Sequence, residues 1–220
     1  MVLHGYWRSS AAYRVRIGLA LKGLSHDSSA HDLRTGAQKS PDYLALNPQG
    51  LVPALEVDGQ IIVQSVAILE WLEETHPTPA LLPSDPMDRA RVRGMAGLIA
   101  SDIHPLNNLR VLKQLRQEFD LDQAGVDAWA GHWIAAGFDA LEILTARDGG
   151  GWCFGDVPTL ADCYLVPQLY SARRFNLDLT PWPGLVAIEA RALAHPAFVK
   201  AHPDAQPDAD AQPDADARPA

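Results

Sequence analysis

The chain has 220 residues, 47% of them hydrophobic, with 27 acidic against 18 basic side chains and a formal net charge of −9. That length holds one large or two small domains, and that apolar content supports a packed core. The acidic balance argues against a general nucleic-acid binder, and apolar stretches broken by charges well short of bilayer length argue against a membrane protein.

The start MVLHGYWRSS lacks the basic-then-apolar pattern of a signal peptide, which predicts a cytoplasmic protein. VLHGY (2–6) reads as a short strand, and Ser10 to Lys22 as a helix with Gly23 as its stop. A weaker extended piece spans Ser28 to Leu33. Ser40-Pro41 offers an N-cap followed by proline at the first helical position, starting a helix at DYLAL. In LVPALEVDGQIIVQS two β-rich runs flank Asp58-Gly59, a strong hairpin signal, and Ser65 is expected to cap the helix VAILEWLEETH before Pro77. The order strand, helix, strand, helix, hairpin, helix predicts an α/β unit with a mixed sheet over residues 1–80.

Residues 81–87 contain LLPSDP and read as a linker. From 88 to 202 the pattern is helical almost throughout, predicting an all-α second domain. Thr159-Leu160-Ala161-Asp162 resembles a capping box, giving Asp162 a folding role. The two cysteines, Cys153 and Cys163, are expected to be buried thiols rather than a bridge. Residues 203–220, PDAQPDADAQPDADARPA, carry five Asp against one Arg and no apolar residue larger than alanine. Such a segment buries too little surface to offset its ordering entropy, which predicts a disordered tail without a catalytic part.

Three features of the first unit carry chemistry. Pro53 falls inside a β-rich run although proline cannot donate to a ladder. This fits either an edge strand or a cis Val52-Pro53 bond that turns the strand end outward, so that Val52 offers its backbone to a peptide-like ligand. Gln64-Ser65 and Ser9-Ser10 each stand at a helix start, where free N–H groups and the helix dipole favour an anion. The eight histidines show neither HExxH nor Cys/His spacing, so no metal is expected.

SSAAYRVRIGL, NPQGLVPAL, DGQIIVQSVAILEWLEE, GDVPTLADCYLVPQ and RRFNLDLTPWP together resemble the zeta class of glutathione transferases, over residues 3 to 200. The class contains the maleylacetoacetate and maleylpyruvate isomerases. The resemblance implies the glutathione transferase fold: an α/β thioredoxin-like N-terminal domain followed by an all-α C-terminal domain. It also implies glutathione as cofactor and a homodimer. The zeta motif Ser-Ser-Cys-x-x-Arg-Val-Arg-Ile-Ala-Leu stands here as Ser9-Ser10-Ala11-Ala12-Tyr13-Arg14-Val15-Arg16-Ile17-Gly18-Leu19, with Ala11 in the cysteine's place. By resemblance Ser9, with Ser10 beside it, faces the glutathione sulfur, Val52 before Pro53 pairs with the cysteinyl backbone, and Gln64 and Ser65 hold the γ-glutamyl carboxylate. Gln38 aligns with a glutathione contact from the second helix, and His104, Asn108 and Arg110 border the site.

The implied substrate is a small dianionic cis-dioxo acid, and arginine's planar fork suits its carboxylates. The candidates are Arg8, Arg110 and Arg174. For Arg14 and Arg16 a structural role is favoured, with at least one expected to pair with an acid. The implied reaction is cis-trans isomerisation of maleylacetoacetate to its fumaryl isomer, in tyrosine and phenylalanine breakdown, by reversible thiolate addition. Maleylpyruvate isomerisation in gentisate breakdown, general transferase or dehalogenase activity, and a non-catalytic binding protein are the alternatives. With alanine at position 11 there is no side-chain thiol for mixed disulfides, so thiol-transferase activity is expected to be weak.

Overall fold

The computed structural model describes residues 1–209. The chain divides into two compact units, one of Met1–Pro79 with the C-terminal segment from His195, the other of Ala80–Ala194.

The first unit runs β1 (Val2–Gly5), α1 (Ser10–Leu21), β2 (Asp27–Ala30), a 3-10 turn (Ala37–Lys39), α2 (Pro41–Leu46), β3 (Ala54–Val57), β4 (Gln60–Val63) and α3 (Ser65–Thr75). Its sheet has the order β2-β1-β3-β4, with β1 parallel to β2 and the other pairs antiparallel. The hairpin forms where Asp58-Gly59 predicts it: both residues take positive φ (49° and 77°), the conformation a tight two-residue turn demands. Val15, Ile17 and Leu19 of α1 and Ile68, Leu69 and Leu72 of α3 are all completely buried. A Cβ on Gly18 would collide with Leu69, so the glycine allows the two helices their close approach. At their far ends Lys22 spends all three ammonium donors, on Glu73 (2.8 Å) and the carbonyls of His76 (2.6 Å) and Pro79 (3.0 Å).

Three local expectations need correction. Pro53 precedes β3 rather than lying within a strand, because pairing begins at Ala54. The N-cap of α3 is Gln64, with φ 71°, and Ser65 is its first helical residue. Gln38 sits in the 3-10 turn before α2, not in the second helix.

The second unit contains α4 (Pro86–Gly97), a π-helical turn (Leu98–Ile103), a 3-10 turn (His104–Asn107), α5 (Leu109–Phe119), α6 (Gln123–Asp148), α7 (Leu160–Arg174) and α8 (Pro183–Leu193). The start of the expected linker is built into this unit: Leu81 and Leu82 are buried, and the Leu81 carbonyl accepts from Leu160 N–H at 2.7 Å. The capping box at Thr159 forms. Asp162 is fully buried and accepts from the N–H groups of Cys153 (2.8 Å) and Thr159 (2.7 Å) and from the Thr159 hydroxyl (2.9 Å). Burial nevertheless pushes its carboxyl pKa up, and burial beside that carboxyl pushes the Cys153 thiol well up. Cys153 and Cys163 are both buried free thiols.

The C-terminal boundary also differs from expectation. From His195 the chain belongs to the first unit, where α9 (Pro196–Ala201) packs on α1. A 3-10 turn follows at Pro203–Ala205, and Asp208 accepts from Trp7 N–H at 2.9 Å. Composition over 203–220 hides this because the contacts are polar and backbone-directed. The rest of the expected disordered tail, 210–220, lies outside the described residues.

Candidate functional site

Sheet register gathers the first unit's predicted residues at one end. His4 lies opposite Ala54, Ala54 opposite Val63, and Gly5 opposite Ala30. The end of β1 therefore leads to Arg8 and Ser9, and the end of β2 to Gln38. The start of β3 follows Val52-Pro53, and the end of β4 leads to Gln64-Ser65. Four strands thus deliver these residues to the same edge.

The Tyr6–Ser9 turn closes with Ser9 N–H donating to the Tyr6 carbonyl at 3.0 Å. Ser9 caps α1, its Oγ accepting from Ala12 N–H at 3.2 Å, which leaves the hydroxyl proton available for donation. Ser10 is buried and Ala11 half-buried in the first turn of α1. The Arg8 guanidinium lies 5.4 Å from the Trp7 ring centroid.

The Val52–Pro53 peptide bond is cis. The preceding carbonyl, of Leu51, accepts from the Tyr43 hydroxyl and from Asn47 Nδ2, both at 2.7 Å. Two side chains on α2 and at its end thus fix the backbone that leads into Val52. Burial pushes the Tyr43 phenol pKa up, so it stays a donor at neutral pH. Gly50 has φ 60°, and a Cβ there would meet Lys39 Nζ at 2.7 Å and the Gln38 carbonyl at 3.0 Å, so the 49–52 loop lies directly on the Gln38 turn. Gln64 Nε2 donates to Gln49 Oε1 at 2.6 Å, joining the start of α3 to the same loop.

Arg14 is only 2% exposed, and its Nη1 donates to Ser65 Oγ at 3.3 Å. The Ser65 hydroxyl therefore accepts from a buried cation and can turn its own proton outward, at a helix N-terminus that already favours negative charge. Gln38 is 91% buried, and its Oε1 accepts no hydrogen bond from the described residues. A buried amide oxygen without a donor is costly, which suits a ligand bearing N–H or ammonium groups. Peptide-like donors for Gln38 and a carboxylate for the α3 start are both features of glutathione, so these residues fit it.

Arg14, Tyr43, Asn47 and Gln49 were missed as site residues by sequence reasoning. For Arg14 the RVRI motif was the available signal. For the others no local pattern distinguishes a clamp on the backbone from an ordinary helix or loop residue. Arg16 has the structural role expected, donating to the carbonyls of Trp7 (2.8 Å) and Ala201 (2.9 Å).

The remaining candidates belong to the second unit. His104 begins its 3-10 turn, which Trp129 Nε1 pins to α6 by donating to the Leu106 carbonyl at 2.8 Å. Asn108 is the N-cap of α5 and accepts from Arg110 N–H at 3.2 Å, so it has a folding role of its own. Arg110 and Arg174 are exposed, and the residues that follow them, Val111 and Phe175, pack in one cluster with Leu112, Leu115 and Val126. The neighbours of both arginines in the chain therefore share a single core cluster.

Among the described residues no group of His, Cys, Asp or Glu could hold a metal ion, and no helix is long and apolar enough to cross a membrane. Family models for the glutathione S-transferase N-terminal and C-terminal domains match residues 8–75 and 123–195. The chain is 54% identical to a maleylacetoacetate isomerase of Pseudomonas aeruginosa, over 94% of this chain and 98% of that one. It is 52% identical to a solved maleylpyruvate isomerase, described as a bacterial zeta-class glutathione transferase, with TM-score 0.93 over 94% of this chain and 99% of that one. A maleylacetoacetate isomerase of Anaeromyxobacter dehalogenans, solved with dicarboxyethyl glutathione and citrate in its active site, is 50% identical with TM-score 0.85, over 94% and 96% of the two chains. The sheet-edge geometry and these likenesses together make this chain a member of the zeta class of the glutathione transferase family.

Proposed function

We propose that the chain is a glutathione-dependent cis-trans isomerase converting maleylacetoacetate to fumarylacetoacetate. The observation that carries this reading is the convergence of Ser9, Val52 and Gln64-Ser65 on one sheet edge, with a buried arginine behind Ser65. When bound, glutathione supplies a thiolate that adds reversibly to the conjugated double bond, allowing rotation.

The chain's own residues bind, orient and hold charge. Ser9 donates its hydroxyl proton to the sulfur, and the α1 N-terminus adds positive potential, so the thiol pKa is held down. Val52 presents backbone to the peptide, held by the Tyr43 and Asn47 clamp on Leu51. Ser65, with Arg14 behind it, and Gln64 take the γ-glutamyl carboxylate, and Gln38 accepts a donor from the same ligand. Arg8, Arg110 and Arg174 take the substrate carboxylates and would stabilise the negative charge that builds on the substrate as the thiolate adds. His104 and Asn108 border the glutathione end. No protein nucleophile is needed, so Ala11 is compatible with the reaction.

Maleylpyruvate is the second reading, favoured by the 52% identity and TM-score 0.93 to an isomerase of that substrate. A homodimer in the cytoplasm, serving tyrosine and phenylalanine breakdown, completes the proposal. The test is the ultraviolet absorbance change of freshly made maleylacetoacetate and maleylpyruvate, each with and without glutathione. Glutathione-dependent formation of the fumaryl isomer is expected, and the ratio of the two rates assigns the substrate. Glutathione binding with no conversion of either acid overturns the isomerase reading.

A further inference from the structure

We propose that the C-terminal strap, residues 201–208, positions the Arg8–Ser9 loop, and that Asp208 is a positioning residue for the glutathione reaction. Tyr6 and Trp7 of this turn pack in one apolar cluster with Tyr43 and Val52, and both backbone groups of Trp7 are held from outside the turn. Trp7 N–H donates to the Asp208 carboxylate at 2.9 Å, and the Trp7 carbonyl accepts from Arg16 Nη2 at 2.8 Å. Arg16 is itself anchored to the strap, its Nε donating to the Ala201 carbonyl at 2.9 Å. Arg16 is 5% exposed, its guanidinium sits 5.3 Å from the Tyr13 ring, and the strap's His202 ring lies 6.0 Å from that same ring.

The strap is folded on itself, which makes it an anchor. Gln206 Nε2 donates to the carbonyls of Lys200 (3.0 Å) and His202 (2.9 Å), and Ala209 N–H donates to the Gln206 carbonyl at 3.0 Å. Asp208 follows directly on this closed loop. Its hold on Trp7 is transmitted both ways along the turn: the Trp7 ring lies beside the Arg8 guanidinium, and Ser9 N–H closes the turn on Tyr6. A shift of 1 Å in such a loop is large on the scale of catalytic alignment. The sequence distance, 201 residues between Trp7 and Asp208, hides this contact from any local reading.

The test compares Asp208→Ala, Asp208→Asn and Glu74→Ala, the last an exposed carboxylate on α3, outside the strap. Hydrogen exchange at the amides of residues 6–9 reports the hold directly, and kcat and KM for glutathione report its consequence. The kinetic part rests on the isomerase reading. Asp208→Ala is expected to speed exchange at Trp7 and lower kcat/KM by about fivefold, the scale of one half-exposed charge-assisted hydrogen bond. Asp208→Asn, which keeps an acceptor oxygen, restores most of both, and Glu74→Ala changes neither. Unchanged exchange in Asp208→Ala overturns the proposal, as does faster exchange with wild-type kcat and KM, or an equal kinetic loss in Glu74→Ala. If the wild-type chain isomerises neither acid, the isomerase reading fails. Glutathione affinity by calorimetry then takes the place of the rates, weaker in Asp208→Ala if the strap positions the loop. Equal affinity, or no glutathione binding by the wild-type chain, overturns the strap's role.

Discussion

Replacing Ser9 by alanine removes two interactions of different weight, and they can be read separately. The first is the N-cap bond to Ala12 N–H at 3.2 Å, whose loss costs about 1 kcal/mol. For a chain of this length that is a fall of roughly 2–4 °C in Tm. The second is the hydroxyl's donation to the glutathione thiolate, a hydrogen bond to a charged group, of order 1.5–3 kcal/mol. At 1.36 kcal/mol per pKa unit, its loss raises the bound thiol's pKa by about one to two units. Below that pKa the thiolate fraction, and with it the rate, falls roughly ten- to a hundredfold.

Because donation stabilises the anion, its removal moves the acid limb of the pH–rate profile to higher pH. Ser9→Asp separates the two effects: aspartate caps a helix as well as serine, so stability returns, but its charge opposes the thiolate and activity stays low. The assays are urea unfolding and the pH dependence of kcat for glutathione-dependent isomerisation. An unshifted acid limb with a rate loss under about twofold in Ser9→Ala would show that the hydroxyl is only a cap, and the reasoning would fail.

Lys22→Met strands the Glu73 carboxylate in a pocket where the two side chains are 0% and 5% exposed, and should destabilise by about 3–5 kcal/mol, read by urea unfolding. A cost under about 1 kcal/mol would count against the pair. Burial, with Lys200 next in weight, lowers the His26 pKa below 6.5, and burial with His4 lowers that of His31. Their folded pKa values lie below the unfolded one, so the stability they contribute is present above pH 6.5 and is lost as pH falls through the folded values. Unfolding midpoints should therefore drop on acidification below pH 6.5, and less so in the His26→Gln/His31→Gln double variant. Gly50→Ala forces an L side chain into φ 60° against Lys39 and Gln38, and should both cost about 1–2 kcal/mol and raise the glutathione KM. A wild-type KM would detach the Gln38 turn from the site.

Local chemistry made much of this protein legible before any coordinates. Ser9-Ser10 as a helix start, Ser40 as a cap, Asp58-Gly59 as a hairpin, the Thr159–Asp162 capping box and the proline break after α3 all act over a few residues. Their spacing therefore carries the information. The helical periodicity beyond residue 88 likewise follows from burying one face of each helix, although it did not reveal the π turn at Leu98–Ile103. The zeta-class motifs supplied the site candidates. What only the tertiary structure decided are the pairings between distant residues: Arg14 with Ser65, Tyr43 and Asn47 with the Leu51 carbonyl, and Lys22 with Glu73. It also decided the return of the chain from His195 to α1 and the hold of Asp208 on Trp7. These are polar contacts made to backbone groups or across sheet and helix. Such contacts leave no periodicity and no composition, because the backbone offers the same donor and acceptor at every residue, and only folding selects which ones meet.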